Sequence, residues 1–297
     1  MRHITLKVCR HCGVVGIHPT PDLEKLASYY KMLERDDLSD EEIVASERRR
    51  KDYNLELINF LEHYLAQSPT SICDYGCGYG TLANELSKRW SATAFGIEYS
   101  ERAILFASQH YQLNVVSAEP NEIPGNYDLI VCRAVLEHLP DPLSTLIALR
   151  DRVSEFGNLL IVVPNLWSFN LGLFSGERLQ SIFKLVHLWY FSSVTLQQLV
   201  ERAGLRVVGQ READGWSRQG ELWMVVERVE SSEMNHPTSV DTRLVVRELR
   251  RKTFYGRVRS IIETRTKNLL GDRLVSKARN VRKRVLRLLS DSSHEQA

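Results

Sequence analysis

The chain has 297 residues, 43% hydrophobic and 26% charged, which suits one large domain with appendages and excludes wholesale disorder. No apolar run approaches the roughly 20 residues of a membrane span, Met1 to Lys7 lack the apolar block of a secretory signal, and five cysteines in so long a chain make no disulfide framework. The net charge of +2 conceals a split, since residues from His236 onward carry 16 Lys and Arg against 6 Asp and Glu, while the rest carry 23 against 31.

Near the start, Cys9-Arg10-His11-Cys12-Gly13 forms a C-x-x-C-G knuckle. Asp22 to Leu33 reads as a short helix with Asp22 as N-cap after Pro21. Glu47 to Leu65 reads as a second helix, with Leu55, Ile58, Leu61, Tyr64 and Leu65 at helical spacing. It is expected to cover a sheet or the mouth of a site.

From Ser71 to Val163 strands and helices alternate as β-α-β-α-β-β-α-β, which predicts a mainly parallel sheet wound on both faces. Its first strand, Ile72 to Tyr75, runs into the turn Gly76-Cys77-Gly78-Tyr79-Gly80 that opens a helix. The next strand, Thr93 to Ile97, ends on Glu98. Glycines let the chain turn sharply and let a ligand approach, and an acid at the next strand tip accepts hydrogen bonds from a ribose diol. The spacing from Gly76 to Glu98 fits such a nucleoside site. A dinucleotide fingerprint, G-x-G-x-x-G, seats a pyrophosphate. Here the order is Asp74-x-Gly76-x-Gly78-x-Gly80. A carboxylate in that turn repels a pyrophosphate and suits a ligand carrying an ammonium group, so a dinucleotide oxidoreductase is disfavoured. Cys73, Cys77 and Cys132 fall in or beside these elements and read as small buried filler.

Leu166 to Phe191 interrupts the alternation with a run rich in aromatic and apolar residues. It lies after a strand end, where ligands bind in such sheets, and reads either as a substrate-covering lid or as a patch packing on the domain. A helix ending Ala203-Gly204 follows, and Glu221 to Glu227 reads as the strand that closes the sheet. Ser231 to Ser239 is a linker, with two helices expected at about Asp241 to Leu270 and Asp272 to Ser290. The second carries Lys277, Arg279, Arg282, Lys283, Arg284 and Arg287 beside an apolar face. Such a helix fits a solvated face packed on the domain or on a second subunit, an anionic membrane surface or a partner helix, or, less well, nucleic acid. The boundaries are therefore 1–45 for the knuckle and first helix, 46–230 for the main domain, 231–240 for the linker and 241–297 for the basic tail.

Four ordered stretches carry a resemblance. Cys73 to Gly80 with Glu98, the loop Ala118 to Pro124, the segment Tyr127 to Pro142 and the strand Gly157 to Asn165 together resemble the class I S-adenosylmethionine-dependent methyltransferases. The segment His187 to Gly204 resembles that family's late helix, which leads into the final antiparallel strands, and the resemblance covers about Ser68 to Glu227. It implies an α/β fold, a doubly wound, mainly parallel seven-stranded Rossmann-like sheet, here with an N-terminal knuckle and a C-terminal helical extension. It also implies S-adenosylmethionine as cofactor. By the same resemblance, Gly76, Gly78 and Gly80 hold the methionine end, and Asp74 meets the ammonium or fixes the loop. Glu98 binds the ribose with Tyr99 beside the ring, Glu119 reads the adenine edge, and Arg133 and Ala134 lead towards the reacting methyl. Ala118 departs from the glycine usual before that acid.

His138, in Leu136-Glu137-His138-Leu139-Pro140, is the candidate general base for an oxygen or nitrogen acceptor, or a brace for the loop. His187, which lines the substrate pocket or caps a helix, and Tyr190 are the substrate-side candidates. Some family members carry an N-terminal zinc ribbon whose second knuckle looks like Cys9 to Gly13. Their other C-x-x-C lies upstream, and with only Cys9 and Cys12 of four ligands, zinc is not expected. The reading is a cytoplasmic methyltransferase, peripheral at the inner membrane face if the tail binds there, acting on a small molecule or a glycan- or lipid-linked intermediate. Its rivals are an RNA methyltransferase using the tail as a clamp and a non-catalytic scaffold. A homo-oligomer stays open.

Overall fold

The computed structural model describes residues 5–21, 38–167, 187–214, 220–229 and 242–250. The expected helix at Asp22 to Leu33, the linker and most of the basic tail lie outside them. The chain divides into two compact units, one of Met1–Phe169 with Lys184–Val245 and one of Asn170–Phe183 with Val246–Ala297. All but the last five described residues belong to the first unit.

Strands β1 (Thr5–Val8) and β2 (Val15–His18) pair as an antiparallel hairpin across the C-x-x-C-G turn. The turn closes through Cys9 N to Val14 O, 2.9 Å, and Gly13 N to Cys9 O, 3.0 Å. Helix α1 (Asp40–Arg48) starts on a capping box between Ser39 and Glu42, with three acids in its first turn. Helix α2 (Lys51–Tyr64) follows after a break at Arg49 and Arg50. The sequence predicts one helix over Glu47 to Leu65 with Leu55 on its apolar face. Instead Leu55 is 52% exposed, and Asn54, Leu57, Ile58, Phe60 and Leu61 form the buried stripe.

The main body then runs β3 (Ser71–Tyr75), α3 (Thr81–Trp90), β4 (Thr93–Ile97), α4 (Glu101–Tyr111), β5 (Asn114–Val116), β6 (Tyr127–Arg133), α5 (Pro142–Arg150), β7 (Val153–Pro164), β8 (Trp189–Tyr190), α6 (Ser193–Arg202), β9 (Leu205–Asp214) and β10 (Gly220–Arg228). Residues 242–250 form a last described helix, α7. The sheet has seven strands in the order β5-β4-β3-β6-β7-β10-β9. Strands β3 to β7 pair in parallel, and β10 pairs antiparallel with both β7 and β9. The expected closing strand is therefore β10, but it is inserted beside β7, and β9 takes the edge.

Alternation along the central strands sorts the core onto two faces. Cys73, Ile130, Cys132, Leu159, Ile161 and Met224 pack with Leu146 and Leu149 of α5 and Leu196 and Val200 of α6. Ile72, Leu129, Val131, Leu160, Val162 and Trp223 pack with Leu57 and Leu61 of α2 and Leu82 and Leu86 of α3. The expected late helix begins only at Ser193, capped by Ser192. The residues before it, Trp189 and Tyr190, instead join the hairpin as its third strand, Val15 opposite Tyr190. Strand order reverses between β3 and β6, so their carboxyl ends open the crevice where ligands bind in open α/β sheets.

Candidate functional site

Strand β3 delivers Asp74 and Tyr75 to the crevice, and the turn to α3 follows at once. Gly76, Gly78 and Gly80 all have positive φ, at 78°, 54° and 76°. At Gly76 a Cβ would stand 2.2 Å from Val135 Cγ2, so the loop after β6 lies hard against the turn. At Gly78 a Cβ would meet nothing within 4 Å. One glycine admits a neighbouring loop, and the other faces open space.

Glu98 latches this turn. Its carboxylate accepts from Gly78 N at 2.8 Å through one oxygen, and from Tyr99 N at 2.7 Å and Ser100 N at 3.0 Å through the other. The half-buried carboxylate thus ties the glycine turn to the start of α4. Tyr99 is exposed and donates its hydroxyl to Ala118 O at 3.2 Å. Glu119, also exposed, lies near the Tyr99 and Tyr75 phenols. The carboxyl ends of β3, β4 and β5 thus carry Asp74 and the three glycines, Glu98 and Tyr99, and Glu119 in turn.

Asp74 is 2% exposed. Burial pushes its carboxyl up to about 6, with the Arg133 guanidinium pulling down and Glu98 pushing up. Arg133 ends β6 and turns to α2, where its Nη1 donates to Asn54 Oδ1 at 2.9 Å and its guanidinium lies 5.8 Å from the Tyr53 ring centre. Asn54 in turn donates to Glu85 Oε2 at 2.7 Å. Tyr53 donates to Glu221 Oε2 at 2.5 Å, and Trp223 Nε1 donates to the same oxygen at 3.0 Å. This network binds α2, α3, β6 and β10 around the arginine. Sequence reasoning misses Tyr53, Asn54 and Glu85 here, and also Tyr75, whose buried phenol is held well above its ordinary range by burial first and Tyr99 next.

A second group stands on the loop after β6. Ala134 sits at φ 55°, uncommon for a residue with a Cβ, and its amide donates to Val162 O at 2.8 Å. The turn that follows presents Glu137 and His138, with His138 Nε2 3.6 Å from Glu137 Oε1. The His187 ring meets the His138 ring edge to face at 4.6 Å, and Tyr190 lies 6.1 Å from His187. Glu137, His187 and Tyr190 are buried, and His138 is half-buried. The chain brings His187 here by backbone bonding. Leu188 N donates to Glu137 O at 2.8 Å, Ile17 N donates to Leu188 O at 3.1 Å, and Trp189 Nε1 donates to Leu139 O at 2.8 Å. The three acceptor-side candidates, His138, His187 and Tyr190, are therefore neighbours, and Glu137 joins them. The lid expected at Leu166 to Phe191 lies mostly outside the described residues, and its two ends pack in the body, with Leu166, Leu188, Tyr190 and Phe191 buried.

Residues 46–210 match the family described as a methyltransferase domain. Among curated proteins, the ubiquinone biosynthesis O-methyltransferase of Azotobacter vinelandii is 28% identical over 117 residues, 36% of this chain and 50% of that protein. Its namesake in Pseudomonas savastanoi pv. phaseolicola is 29% identical over 123 residues, 38% of this chain and 53% of that protein. The chain spans about half the length of these curated relatives. Among solved structures, the N,N-8-amino-8-demethyl-D-riboflavin dimethyltransferase of Streptomyces davawensis superposes with a TM-score of 0.51 at 20% identity, covering 67% of this chain and 62% of that one. That likeness concerns the fold. With the strand order, the glycine turn and a family match over more than half its length, the chain belongs to the class I S-adenosylmethionine-dependent methyltransferases.

Proposed function

We propose that the protein transfers a methyl group from S-adenosylmethionine to an oxygen of a small molecule or of a glycan- or lipid-linked intermediate. The observation that carries this is a buried carboxylate, Asp74, beneath an open glycine turn that Glu98 latches from the next strand. These residues suit the cofactor. A buried Asp74 carboxylate is stabilised by a nearby cation, which an ammonium end supplies. The open space at Gly78 leaves room for a ligand against the backbone. Glu98 keeps lone-pair capacity for a ribose diol beyond the three amides it accepts from.

When bound, the cofactor supplies a methyl already activated on a sulfonium, so the protein contributes position and exclusion of water. Gly76, Gly78 and Gly80 hold the methionine end with Asp74 at its ammonium. Arg133, fixed by Asn54, stands on the same side. Tyr99 and Glu119 take the adenosine end. His138 removes the acceptor proton, and His187 and Tyr190 line the acceptor side. The curated relatives carry the name O-methyltransferase, which supports oxygen as the acceptor atom. The charge of residues 241–297 supports an anionic membrane surface as a further partner, with nucleic acid the weaker alternative. The Cys9 to Gly13 hairpin supports kinship with the zinc-ribbon-bearing subgroup.

The test is turnover with labelled S-adenosylmethionine and a panel of phenolic, glycan and polyprenyl-linked hydroxyl acceptors. Methylation of one class is expected. His138→Ala is expected to lower kcat about 100-fold with cofactor affinity unchanged. Undiminished turnover in that variant removes the imidazole from the mechanism. Cofactor binding with no acceptor methylated in any class contradicts the acceptor assignment.

A further inference from the structure

We propose that Glu137, His138 and His187 form a site for a divalent transition-metal ion at the acceptor side of the crevice. Among the described residues, this is the group of His, Cys, Asp and Glu side chains whose ligating atoms converge, all within 4.8 Å of one another. The donor chemistry is specific. Two imidazoles and one carboxylate on one side of an ion, with the other positions open, make the set that binds zinc in hydrolytic sites and iron(II) in oxygenases. The 3.6 Å between His138 Nε2 and Glu137 Oε1 is long for a hydrogen bond and suits two ligands of one ion. The two imidazoles stand edge to face at 4.6 Å, and one ligating nitrogen of each lies within 4.8 Å of the other and of a Glu137 carboxylate oxygen.

The ligands are also held in place before any ion arrives. Glu137 and His187 are 1% and 6% exposed. The two segments that carry them are joined by the Leu188 N to Glu137 O bond and by the Trp189 indole on Leu139 O. The N-terminal hairpin supports the second segment through Ile17 N on Leu188 O. A preorganised set loses little conformational freedom on binding. His138, the half-buried member, lies on the loop whose Val135 abuts Gly76, so the site adjoins the glycine turn. A proton shared between the Glu137 carboxylate and the His138 imidazole is a metal-free alternative.

The proposal rests on reading this cluster as the acceptor side, and it alters the part that His138 plays there. With the ion in place the imidazole is a ligand. An acceptor hydroxyl bound to the ion is acidified, as metal-bound water is. Its proton would pass to solvent, its oxygen pair would form the new bond to the methyl carbon, and the methyl–sulfur bond would break to release S-adenosylhomocysteine.

The experiment titrates Co²⁺, then competing Zn²⁺, into the full chain after stripping with a chelator, and follows the visible d–d absorption. Expected are one Co²⁺ per chain, displaced by Zn²⁺, and no near-ultraviolet thiolate band. His187→Ala and Glu137→Gln are each expected to weaken binding at least about tenfold. Cys9→Ser is expected to change nothing. If His187→Ala does not fold by circular dichroism, His138→Ala at the half-buried position serves instead. No bound Co²⁺, a thiolate band abolished by Cys9→Ser, or binding untouched by the cluster variants would each overturn the site. Co²⁺ binding is read without methyl transfer, so its failure leaves the methyltransferase reading standing. Failure of turnover likewise leaves the metal result readable.

Discussion

On its proposed role at the cofactor's ammonium, Asp74 sets stability against function. Its folded carboxyl is raised to about 6 by burial, so the neutral acid is the form the empty fold favours. The stability it contributes is complete below the ordinary carboxylate range and is lost as pH rises through about 6. Ionised at neutral pH, it costs the empty protein on the order of 3 kcal/mol. Asp74→Asn should therefore melt several degrees higher than wild type at pH 8 and equally at pH 4, by calorimetry. Cofactor affinity should rise with pH through about 6 in the wild type and stay flat in the variant. A variant no more stable at pH 8 contradicts the assignment. The glycines divide in the same way. Gly76→Ala should cost more than about 2 kcal/mol, from left-handed strain plus the collision with Val135, and Val135→Ala should restore part of it. Gly78→Ala should cost only the strain, about 1 kcal/mol, in urea titrations. The glycine turn and Glu98 are legible in the sequence because their demands are local, a backbone conformation and a strand tip. The partnership of Glu137 and His138 with His187 is not, because it exists only once β8 returns to the hairpin.

At the scale of elements, α2 shows how a polar residue on an apolar stripe escapes sequence reading. Asn54 is fully buried and spans Glu85 of α3 and Arg133 of β6, the latter 79 residues away. A helical pattern read from apolar residues alone slips past it towards Leu55. The structure fixes the register by packing Leu57 and Leu61 on the sheet and by setting the Tyr64 ring where a Cβ on Gly209 would stand, 2.6 Å from it. Asn54→Ala leaves two charged groups without their buried partner and should lower the urea-unfolding free energy by about 2 kcal/mol. Leu57→Ala should cost about 3 kcal/mol, and Leu55→Ser less than about 0.5 kcal/mol. Equal losses at positions 55 and 57 would contradict the observed face.

At the scale of the whole molecule, the alternation of strands and helices makes the parallel half of the sheet legible, since buried parallel strands are continuous apolar runs. The insertion of β10 between β7 and β9 is not legible, because an antiparallel partner on either side satisfies the same pattern. Charge divides the molecule more sharply than fold does. Among the described residues no helix is long and apolar enough to cross a membrane, and the region from His236 onward carries 16 Lys and Arg against 6 Asp and Glu. On the proposal made for that region, the full chain should sediment with anionic vesicles at low salt and be released as salt rises. Equal binding to neutral vesicles would contradict an electrostatic anchor.

The carboxyl ends of β3 and β4 form the proposed nucleoside-cofactor site. Its most direct test is calorimetric titration of S-adenosylmethionine into the wild type and Glu98→Ala, each checked for folding by circular dichroism. Saturable binding by the wild type that collapses in the variant is expected, because Glu98 latches Gly78 and, on the proposed role, takes the ribose hydroxyls. A folded wild type that takes up no S-adenosylmethionine, or a variant that binds it equally well, would contradict the site.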